Sequence, residues 1–161
     1  MVTVIKPSLF LMSLWVLSSH EAQGSGKKLS WSHCSNPGTV ALNYILFKPF
    51  PLKIGQRFQY IANLSTSDTI VDGTFHVKLW YQLNIAKQES INITFIDERI
   101  NLCDQWVADS GHLCPVKPGN YIMTSAETIP TLFKPGNYFG KAEAFDEAGK
   151  ILICARIKFS L

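Results

Sequence analysis

The sequence predicts an all-β fold, a sandwich or a barrel, and three observations carry this prediction. Short runs of residues alternate between apolar and polar side chains with a period of two. Gly, Pro, Asn and Asp separate these runs, as turn residues do between strands. No segment shows a convincing helical period. A chain of 161 residues is expected to form one domain.

Residues 1–24 are expected to lie outside this domain. A lysine precedes the short apolar run SLFLMSLWVL, and small residues follow at Ala22 and Gly24. This order is typical of a secretory signal peptide cleaved after about Gly24. The alternative, a membrane anchor, fails on length, because a spanning helix needs about 20 apolar residues. We therefore assign residues 1–24 to a signal peptide and residues 25–161 to the domain.

The first two strands are expected at residues 40–47 and 57–64, each with one inward face. Alternation in the first strand groups Val40, Leu42, Tyr44 and Leu46 on that face. In the second strand it groups Phe58, Tyr60, Ala62 and Leu64.

The clearest strand is TFHVKLWYQLNIAK at residues 74–87, because one of its faces is wholly apolar. That inward face carries Phe75, Val77, Leu79, Tyr81, Leu83 and Ile85. The other face carries polar residues and Trp80, and is expected to meet solvent. The next strand, at residues 91–96, groups Ile91, Ile93 and Phe95 inward.

Three further strands are expected in the last third of the chain. The first begins at about Asn120, and the others occupy residues 137–145 and 151–159. DEAG, at residues 146–149, predicts a tight hairpin turn between the last two. The inward residues are Tyr138, Ala142, Ala144, Ile151, Ile153, Ala155, Ile157 and Phe159.

Four cysteines follow the predicted signal peptide, and an even number in a secreted chain favours disulfides over free thiols. A zinc site is the poorer interpretation, because no pair has the short spacing that zinc ligands usually have. Three pairings are possible. Spacing favours Cys34 with Cys154, which would join the two ends of the domain, and Cys103 with Cys114, which would close a local loop.

Two glycosylation sequons provide an independent check of the strand register. Asn63 and Asn92 each begin an Asn-x-Ser/Thr triplet. Both asparagines fall on faces that the alternation assigns to solvent, which is where an N-linked glycan must project. We therefore predict N-glycosylation at Asn63 and Asn92.

Composition argues against several function classes. The net charge is +3, and without residues 1–24 it stays +3, because one Lys and one Glu are removed together. No basic run or nucleic-acid motif is present, so we expect no nucleic-acid partner. No nucleophile elbow, zinc-protease motif or phosphate-binding glycine loop is present, and His33, His76 and His112 have no evident catalytic partners. We expect no enzyme activity, no metal site and no cofactor.

Four stretches of the sequence resemble the ML lipid-recognition family over nearly the whole mature chain. They are LSWSHC at residues 29–34, FPLKIG at 50–55, LCDQWV…HLCPVKPGNY at 102–121 and the segment from 134 to 161. The most specific pieces are Cys-Pro-x-Lys-x-Gly at 114–119 and Gly-Asn-Tyr…Gly-Lys-x-Leu-x-Cys at 136–154. The aromatic-x-x-Cys start and the Gly-Asn-Tyr ending look closest to the ganglioside GM2 activator.

This resemblance implies an immunoglobulin-like two-sheet β-sandwich opened into a β-cup, with an apolar lipid cavity between the sheets. It also implies the pairings Cys34–Cys154 and Cys103–Cys114. The inward faces of the strands would line the cavity: Phe58, Tyr60, Phe75, Val77, Leu79, Tyr81, Leu83, Ile93, Phe95, Tyr121 and Met123. Trp106, Val107 and Phe133 would lie in rim loops and touch the membrane, although Trp106 could instead fold over the core.

The implied function is a monomeric lipid-binding and transfer protein of the secreted or lysosomal and endosomal space. It would contact membranes transiently, hold a phospholipid, glycolipid or sterol, and present it to a lipid hydrolase or a receptor. A sterol carrier or lipid co-receptor of the same family is an alternative. Another class remains open as well, because periodicity cannot distinguish a hollow interior from the filled core of an immunoglobulin-like interaction module.

Overall fold

The computed structural model describes residues 29–34, 38–86 and 89–161, so the predicted signal peptide lies outside the described part. These residues form eight strands and one helix. In chain order they are β1 (Ser30–His33), β2 (Val40–Lys48), β3 (Arg57–Thr66), β4 (Gly73–Ala86), β5 (Glu89–Asn101), α1 (Leu102–Ser110), β6 (Gly119–Thr128), β7 (Asn137–Asp146) and β8 (Ile151–Ser160).

The strands form two antiparallel sheets, which confirms the predicted all-β two-sheet fold. The larger sheet has five strands in the order β1-β8-β7-β4-β5, and the smaller has three in the order β2-β3-β6. Side chains of a strand alternate between the two faces of its sheet, so each sheet has one face toward the other sheet and one toward solvent. We call these the inner and outer faces.

A β-bulge at Asn43 corrects the predicted inward face of β2. Leu42 pairs with Leu64, but the next pair joins Tyr44 with Asn63. The extra residue reverses the alternation, as β-bulges do. Tyr44 and Leu46 therefore lie on the outer face and are exposed, and the prediction that placed them inward was wrong. Ile45 and Phe47 take their place against the core.

The helix α1 is the second correction, because no helix was expected from the sequence. The Asn101 side chain caps its N-terminus by accepting a hydrogen bond from the Asp104 amide at 2.9 Å. Gly111 ends it with a positive φ of 74°, and its amide donates to the Val107 carbonyl. Only Leu102 and Trp106, one turn apart, are buried. Two apolar positions are too few to produce a recognisable helical period.

Two disulfides confirm the favoured pairing of the cysteines. Cys34–Cys154 attaches the chain just after β1 to β8, with a Cα–Cα distance of 5.4 Å. Cys103–Cys114 joins the first turn of α1 to the segment that leads into β6, with a Cα–Cα distance of 5.9 Å. Within the described residues no cysteine is free. The second bridge therefore holds α1 beside the smaller sheet.

Two separate apolar clusters lie between the sheets. The upper cluster lies below α1 and contains Val40, Leu42, Ala62, Ile70, Leu102, Trp106, Val116, Met123, Ala144, Leu152 and Ala155. The lower cluster lies at the opposite end and contains Leu52, Ile129, Phe133, Tyr138, Phe159 and Leu161. Strands of the two sheets approach most closely along β2 and β8. One long side of the interior is therefore closed.

Tyr138 is the residue on which the lower cluster is centred. It is completely buried, and its hydroxyl group accepts from the Lys134 amide at 2.9 Å and donates to the Lys134 carbonyl at 2.8 Å. Burial raises the pKa of this phenol above its usual value.

We expect the substitution Tyr138→Phe to lower the free energy of unfolding by about 1–3 kcal/mol, because it leaves two backbone groups without their partner. Denaturant unfolding measures this loss. Tyr121→Phe is the matched control: the Tyr121 hydroxyl donates to the Lys117 carbonyl at 2.7 Å, but that contact is exposed and water replaces it. Equal losses in the two variants would contradict the assigned role of Tyr138.

Candidate functional site

The inner face of β4 is apolar but not fully buried. Phe75, Val77, Leu79 and Tyr81 face the smaller sheet from a strand that lies between β5 and β7. All four are only half-buried, and Val77 belongs to neither apolar cluster. In a filled sandwich these positions would be the centre of the core. Their remaining exposure indicates an unfilled gap between the two clusters.

The smaller sheet presents a similar surface to this gap. Phe58 and Tyr60 on β3 and Tyr121 on β6 are half-buried, while Met123 is buried in the upper cluster. The register places Tyr121 beside Leu64 and Met123 beside Ala62, so these side chains share one face. The structure thus brings together the inner faces that the sequence assigned to a cavity lining. Ile93 and Leu83, from the same set, lie farther out, in the N-terminal part of β5 and the C-terminal part of β4.

Small residues of β7 lie at the centre of the larger sheet's inner face. Gly140 pairs with Leu79 on one side and Ile157 on the other, and Ala142 pairs with Val77 and Ala155. A Cβ atom added to Gly140 would find its nearest atoms at 3.8 Å, which is ordinary contact distance. Ala142 was expected to face inward but not to line a cavity, and Gly140 was not expected at this position. The available signal was the small size of the inward residues in β7.

A run of aromatic rings crosses from one sheet to the other at the lower end of the gap. Successive ring centroids are separated by 4.5, 5.1, 5.5, 6.3 and 5.5 Å. In order, the rings are Phe95, Phe133, Tyr138, Phe159, Phe47 and Phe58. Phe95 is the additional residue of a bulge in β5, opposite Leu79 and Trp80. This aromatic run closes the lower end of the interior.

The helix α1 closes the upper end. Trp106 inserts into the upper cluster and meets the Tyr121 ring edge-on at 5.3 Å. Trp106 is 4 % exposed and Phe133 is 6 % exposed. The expectation that these two side chains form a rim that touches a membrane was therefore wrong: Trp106 is on the buried side of α1, and Phe133 belongs to the aromatic run. Val107 is half-buried on the same helix.

A polar contact connects α1 to the inner face of β3. The Tyr60 hydroxyl donates to Asp109 Oδ2 at 2.5 Å, and Gln105 Nε2 donates to the same oxygen at 2.6 Å. Burial and the neighbouring Asp109 carboxylate raise the pKa of Tyr60 far above its usual value. Tyr60 therefore holds α1 over the gap as a neutral hydrogen-bond donor.

The C-terminal part of β4 and the N-terminal part of β5 carry a group of exposed apolar side chains, which we call the hairpin patch. The patch consists of Leu83, Ile85, Ile91 and Ile93, which are 40–53 % exposed. Leu83 pairs with Ile91, and Tyr81 pairs with Ile93, so the patch continues the inner face of β4 beyond the lower cluster. Isolated exposed apolar residues are common, but a contiguous group of four needs an explanation.

Other predicted features are placed as follows. Asn92 is exposed and pairs with Gln82 on the outer face, while Asn63 is half-buried and accepts a hydrogen bond from the Asn43 side chain at 2.6 Å. Both asparagines lie on outer faces as predicted, and their glycosylation remains a prediction.

In the described part of the chain, no three His, Cys, Asp or Glu side chains are arranged to hold a metal ion. No helix there is long and apolar enough to cross a membrane.

Comparison with known sequences relates the chain to lipid-transfer proteins by similarity. A family model described as the ML domain matches residues 28–161. A phosphatidylglycerol/phosphatidylinositol transfer protein of Schizosaccharomyces pombe is 24 % identical over 124 residues, which cover 75 % of this chain but only 61 % of the relative. A putative phosphatidylglycerol/phosphatidylinositol transfer protein 2 of Dictyostelium discoideum is 22 % identical, with 95 % of this chain and 97 % of that protein covered.

Comparison with solved structures shows the same fold in two other proteins. A Niemann-Pick type C2 protein from the Japanese carpenter ant superposes with a TM-score of 0.59 at 11 % identity, covering 80 % of this chain and 96 % of that one. Chicken MD-1 complexed with lipid IVa superposes with a TM-score of 0.54 at 14 % identity, covering 86 % and 92 %.

The raised pKa of Tyr60 predicts how stability depends on alkaline pH. An unfolded tyrosine loses its proton near pH 10, whereas the folded Tyr60 retains it. Its contribution is therefore complete below about pH 10 and is lost as the pH rises further, by at most about 1.4 kcal/mol per pH unit. Tyr60→Phe should give a shallower decline between about pH 9 and pH 11 in denaturant unfolding.

Tyr44→Phe serves as the control for that measurement, because Tyr44 is exposed on the outer face of β2. It should leave the decline unchanged. An identical dependence of stability on pH in the native protein and in Tyr60→Phe would show that the contact with Asp109 does not stabilise the protonated form of Tyr60.

Proposed function

The chain belongs to the ML domain family, and on this premise we propose that it binds a lipid between its two sheets and transfers it between membranes. The lipid tails would occupy the gap between the upper and lower clusters. The protein would take the lipid from one membrane, cover its apolar part during passage through water, and release it to another.

The observation that carries this proposal is the incomplete burial of the inner face of β4. Phe75, Val77 and Leu79 form the centre of the larger sheet's inner face, yet all three remain half-buried. Apolar side chains in this arrangement gain free energy when a further apolar group covers them, about 25 cal/mol per Å². A lipid tail supplies that group without any change in the fold.

The energetics of lipid transfer explain why such a site is useful. Each CH₂ group removed from water gains about 0.8 kcal/mol, so exposure of a tail of ~16 carbons costs on the order of 10 kcal/mol. Spontaneous escape from a membrane is correspondingly slow. A preformed apolar gap closed by α1 at one end and the aromatic run at the other offsets most of this cost.

The names of the relatives support a phospholipid as the first candidate ligand. Two sequence relatives are named as phosphatidylglycerol/phosphatidylinositol transfer proteins, and the related fold of chicken MD-1 was solved in complex with lipid IVa. The chain aligns with less than two thirds of the first relative's length, so the lipid remains part of the proposal. A sterol or glycolipid, and presentation to a hydrolase or receptor, are further possibilities that no contact in the described residues favours.

The hairpin patch is the surface that we assign to membrane contact. It adjoins the inner face of β4 through the pairs Tyr81–Ile93 and Leu83–Ile91. A lipid leaving a membrane at this patch would first meet apolar side chains of β4, and the aromatic run would have to shift before the lipid reached the gap. This assignment replaces Trp106 and Phe133 and leaves Val107 as an additional candidate.

We also propose a secreted or lysosomal and endosomal location. The two disulfides need an oxidising compartment to form and persist. The predicted signal peptide at residues 1–24 would direct the chain there, and a single domain of this size can act as a monomer.

The substitution Ala142→Phe tests the gap directly, because the new ring would project from the centre of the larger sheet's inner face into the space assigned to the lipid. We expect at least a tenfold loss of bound lipid (about 1.4 kcal/mol), with thermal stability unchanged or raised. Mass spectrometry of organic extracts measures the lipid that copurifies with each variant. Ala126→Phe, on the exposed outer face of β6, is the matched control.

A filled core would give a different result in the same experiment. Overpacking a dense interior costs about 1–3 kcal/mol, so a destabilised Ala142→Phe variant would argue against an open gap. Native protein that carries no lipid and takes up none from vesicles would contradict the proposed function itself.

The hairpin patch predicts a kinetic effect. Leu83→Asn combined with Ile91→Asn should slow lipid transfer between fluorescent vesicles, because less apolar surface is available to enter the membrane. The amount of lipid bound at equilibrium should change little. Ile122→Asn removes an equally exposed apolar residue from the outer face of β6 and should not slow transfer. Equal effects of the two changes would remove the hairpin patch from the mechanism.

A further inference from the structure

The outer face of the larger sheet carries a row of cations across its three central strands. Arg156 on β8 pairs with Lys141 on β7, and Lys141 pairs with Lys78 on β4. These residues are direct cross-strand neighbours, so their side chains lie side by side. Lys158 follows Arg156 on the same face of β8. We call Lys78, Lys141, Arg156 and Lys158 the cation row.

Carboxylates neutralise only one half of the cation row. Asp97 contacts Lys78 at 3.0 Å, and Glu143 contacts Lys141 at 2.7 Å. Within the described residues, no carboxylate lies within 4 Å of Arg156 or Lys158, and both side chains are exposed. Like charges directly opposite each other destabilise a sheet. The sheet thus retains an unfavourable arrangement where a neutral or acidic residue would serve stability better.

Two aromatic rings lie beside this unneutralised half. Phe139 and Trp80 are stacked, with centroids 5.9 Å apart and planes 16° from parallel. The ammonium group of Lys158 sits 5.3 Å from the centre of the Phe139 ring. The Lys158 ammonium group, the Phe139 ring and the Trp80 indole therefore follow one another across β8, β7 and β4. Trp80 pairs on its other side with Thr94.

These side chains line a shallow groove on the outer face that is separate from the gap between the sheets. Ser30 and Ser32, on the edge strand β1, line one side of the groove. Ser30 pairs with Lys158, and Ser32 pairs with Arg156. The groove also includes Trp80, Phe139 and Lys141, and no carboxylate residue lines it. Cations, hydroxyl groups and two stacked aromatic rings are thus concentrated in one depression.

We propose that this groove binds an anionic oligosaccharide, a glycan with sulfate or carboxylate groups. The acidic groups would pair with Arg156 and Lys158, where charge complementarity is unmet. A sugar ring would pack its apolar face on the indole of Trp80. The sugar hydroxyl groups would bond to Ser30 and Ser32. The proposal does not depend on lipid binding, because the groove lies on the opposite face of the sheet.

A membrane surface is the rival occupant, and the position of the apolar residues disfavours it. None of the large exposed apolar side chains in the described part of the chain lies on the outer face of the larger sheet. Trp80 and Phe139 are half-buried and stacked on each other. They are therefore poorly placed to enter a bilayer interface, whereas a single extended glycan chain fits a shallow groove.

The test is titration calorimetry of the disulfide-bonded protein with a heparin-derived octasaccharide. Arg156→Glu combined with Lys158→Glu should weaken binding at least tenfold (about 1.4 kcal/mol). Lys117→Glu combined with Lys150→Glu changes the net charge equally at exposed positions outside the groove, and should leave affinity within about twofold. Equal weakening in both double variants would reveal unspecific charge attraction and overturn the proposal.

Two further measurements separate the candidate ligands. Trp80→Ala should weaken binding of the octasaccharide but leave weak binding of polyglutamate, which has no sugar ring, unchanged. Polyglutamate that binds as tightly as the octasaccharide would identify an acidic peptide instead. Binding to phosphatidylcholine vesicles doped with phosphatidylglycerol, without binding of the octasaccharide, would identify a membrane surface. Either result overturns the proposal.

Thermal unfolding controls for damage to the fold. Arg156→Glu places a carboxylate directly opposite Lys141 and replaces repulsion by attraction, whereas Lys158→Glu loses the contact of its ammonium group with the Phe139 ring. The two effects oppose each other, so the double variant should unfold at a similar temperature. Loss of binding together with retained stability would assign the cation row to ligand recognition.

Discussion

The separation of the two sheets is the constraint on which the rest of the structure depends. Apolar faces of neighbouring sheets normally interdigitate at a spacing of about 10 Å, and here the buried side chains form two clusters, one at each end of the interior. The upper cluster is built around Trp106 and the lower around Tyr138. Because large rings fill both ends and small residues occupy β7 between them, the centre of each inner face keeps unsatisfied apolar surface.

Several other features preserve this separation. The Cys103–Cys114 bridge and the contact of Tyr60 with Asp109 hold α1 over the upper end. At the lower end, hydrogen bonds fix Tyr138 to the backbone of Lys134, so the aromatic run has one rigid member. A polar group that is buried in an apolar cluster without its hydrogen-bond partner lowers the stability of the fold. Each end therefore has a polar contact that specifies the position of its largest apolar group.

The larger sheet uses its two faces for different chemistry. In β4, Val77 and Leu79 face the gap, while Lys78 and Trp80 face solvent, and Trp80 forms part of the outer groove. One strand can serve both surfaces because successive side chains point in opposite directions. A change in register by one residue would exchange the two surfaces, so the pairing of β4 with β5 and β7 determines both.

The sequence by itself determined seven of the eight strands in the described residues, all but β1, and the favoured cysteine pairing, because alternation, turn residues and spacing can be read along the chain. It also identified most of the inner faces, such as Phe75 to Tyr81. Tertiary structure decided the rest. The bulge at Asn43 moved Tyr44 outward, and α1 formed from a segment with only two buried residues. The two sheets are formed from distant parts of the chain, and their relative position decides the burial of Trp106 and Phe133 and the gap beside Gly140. The period of a single strand carries no information about the distance between the sheets.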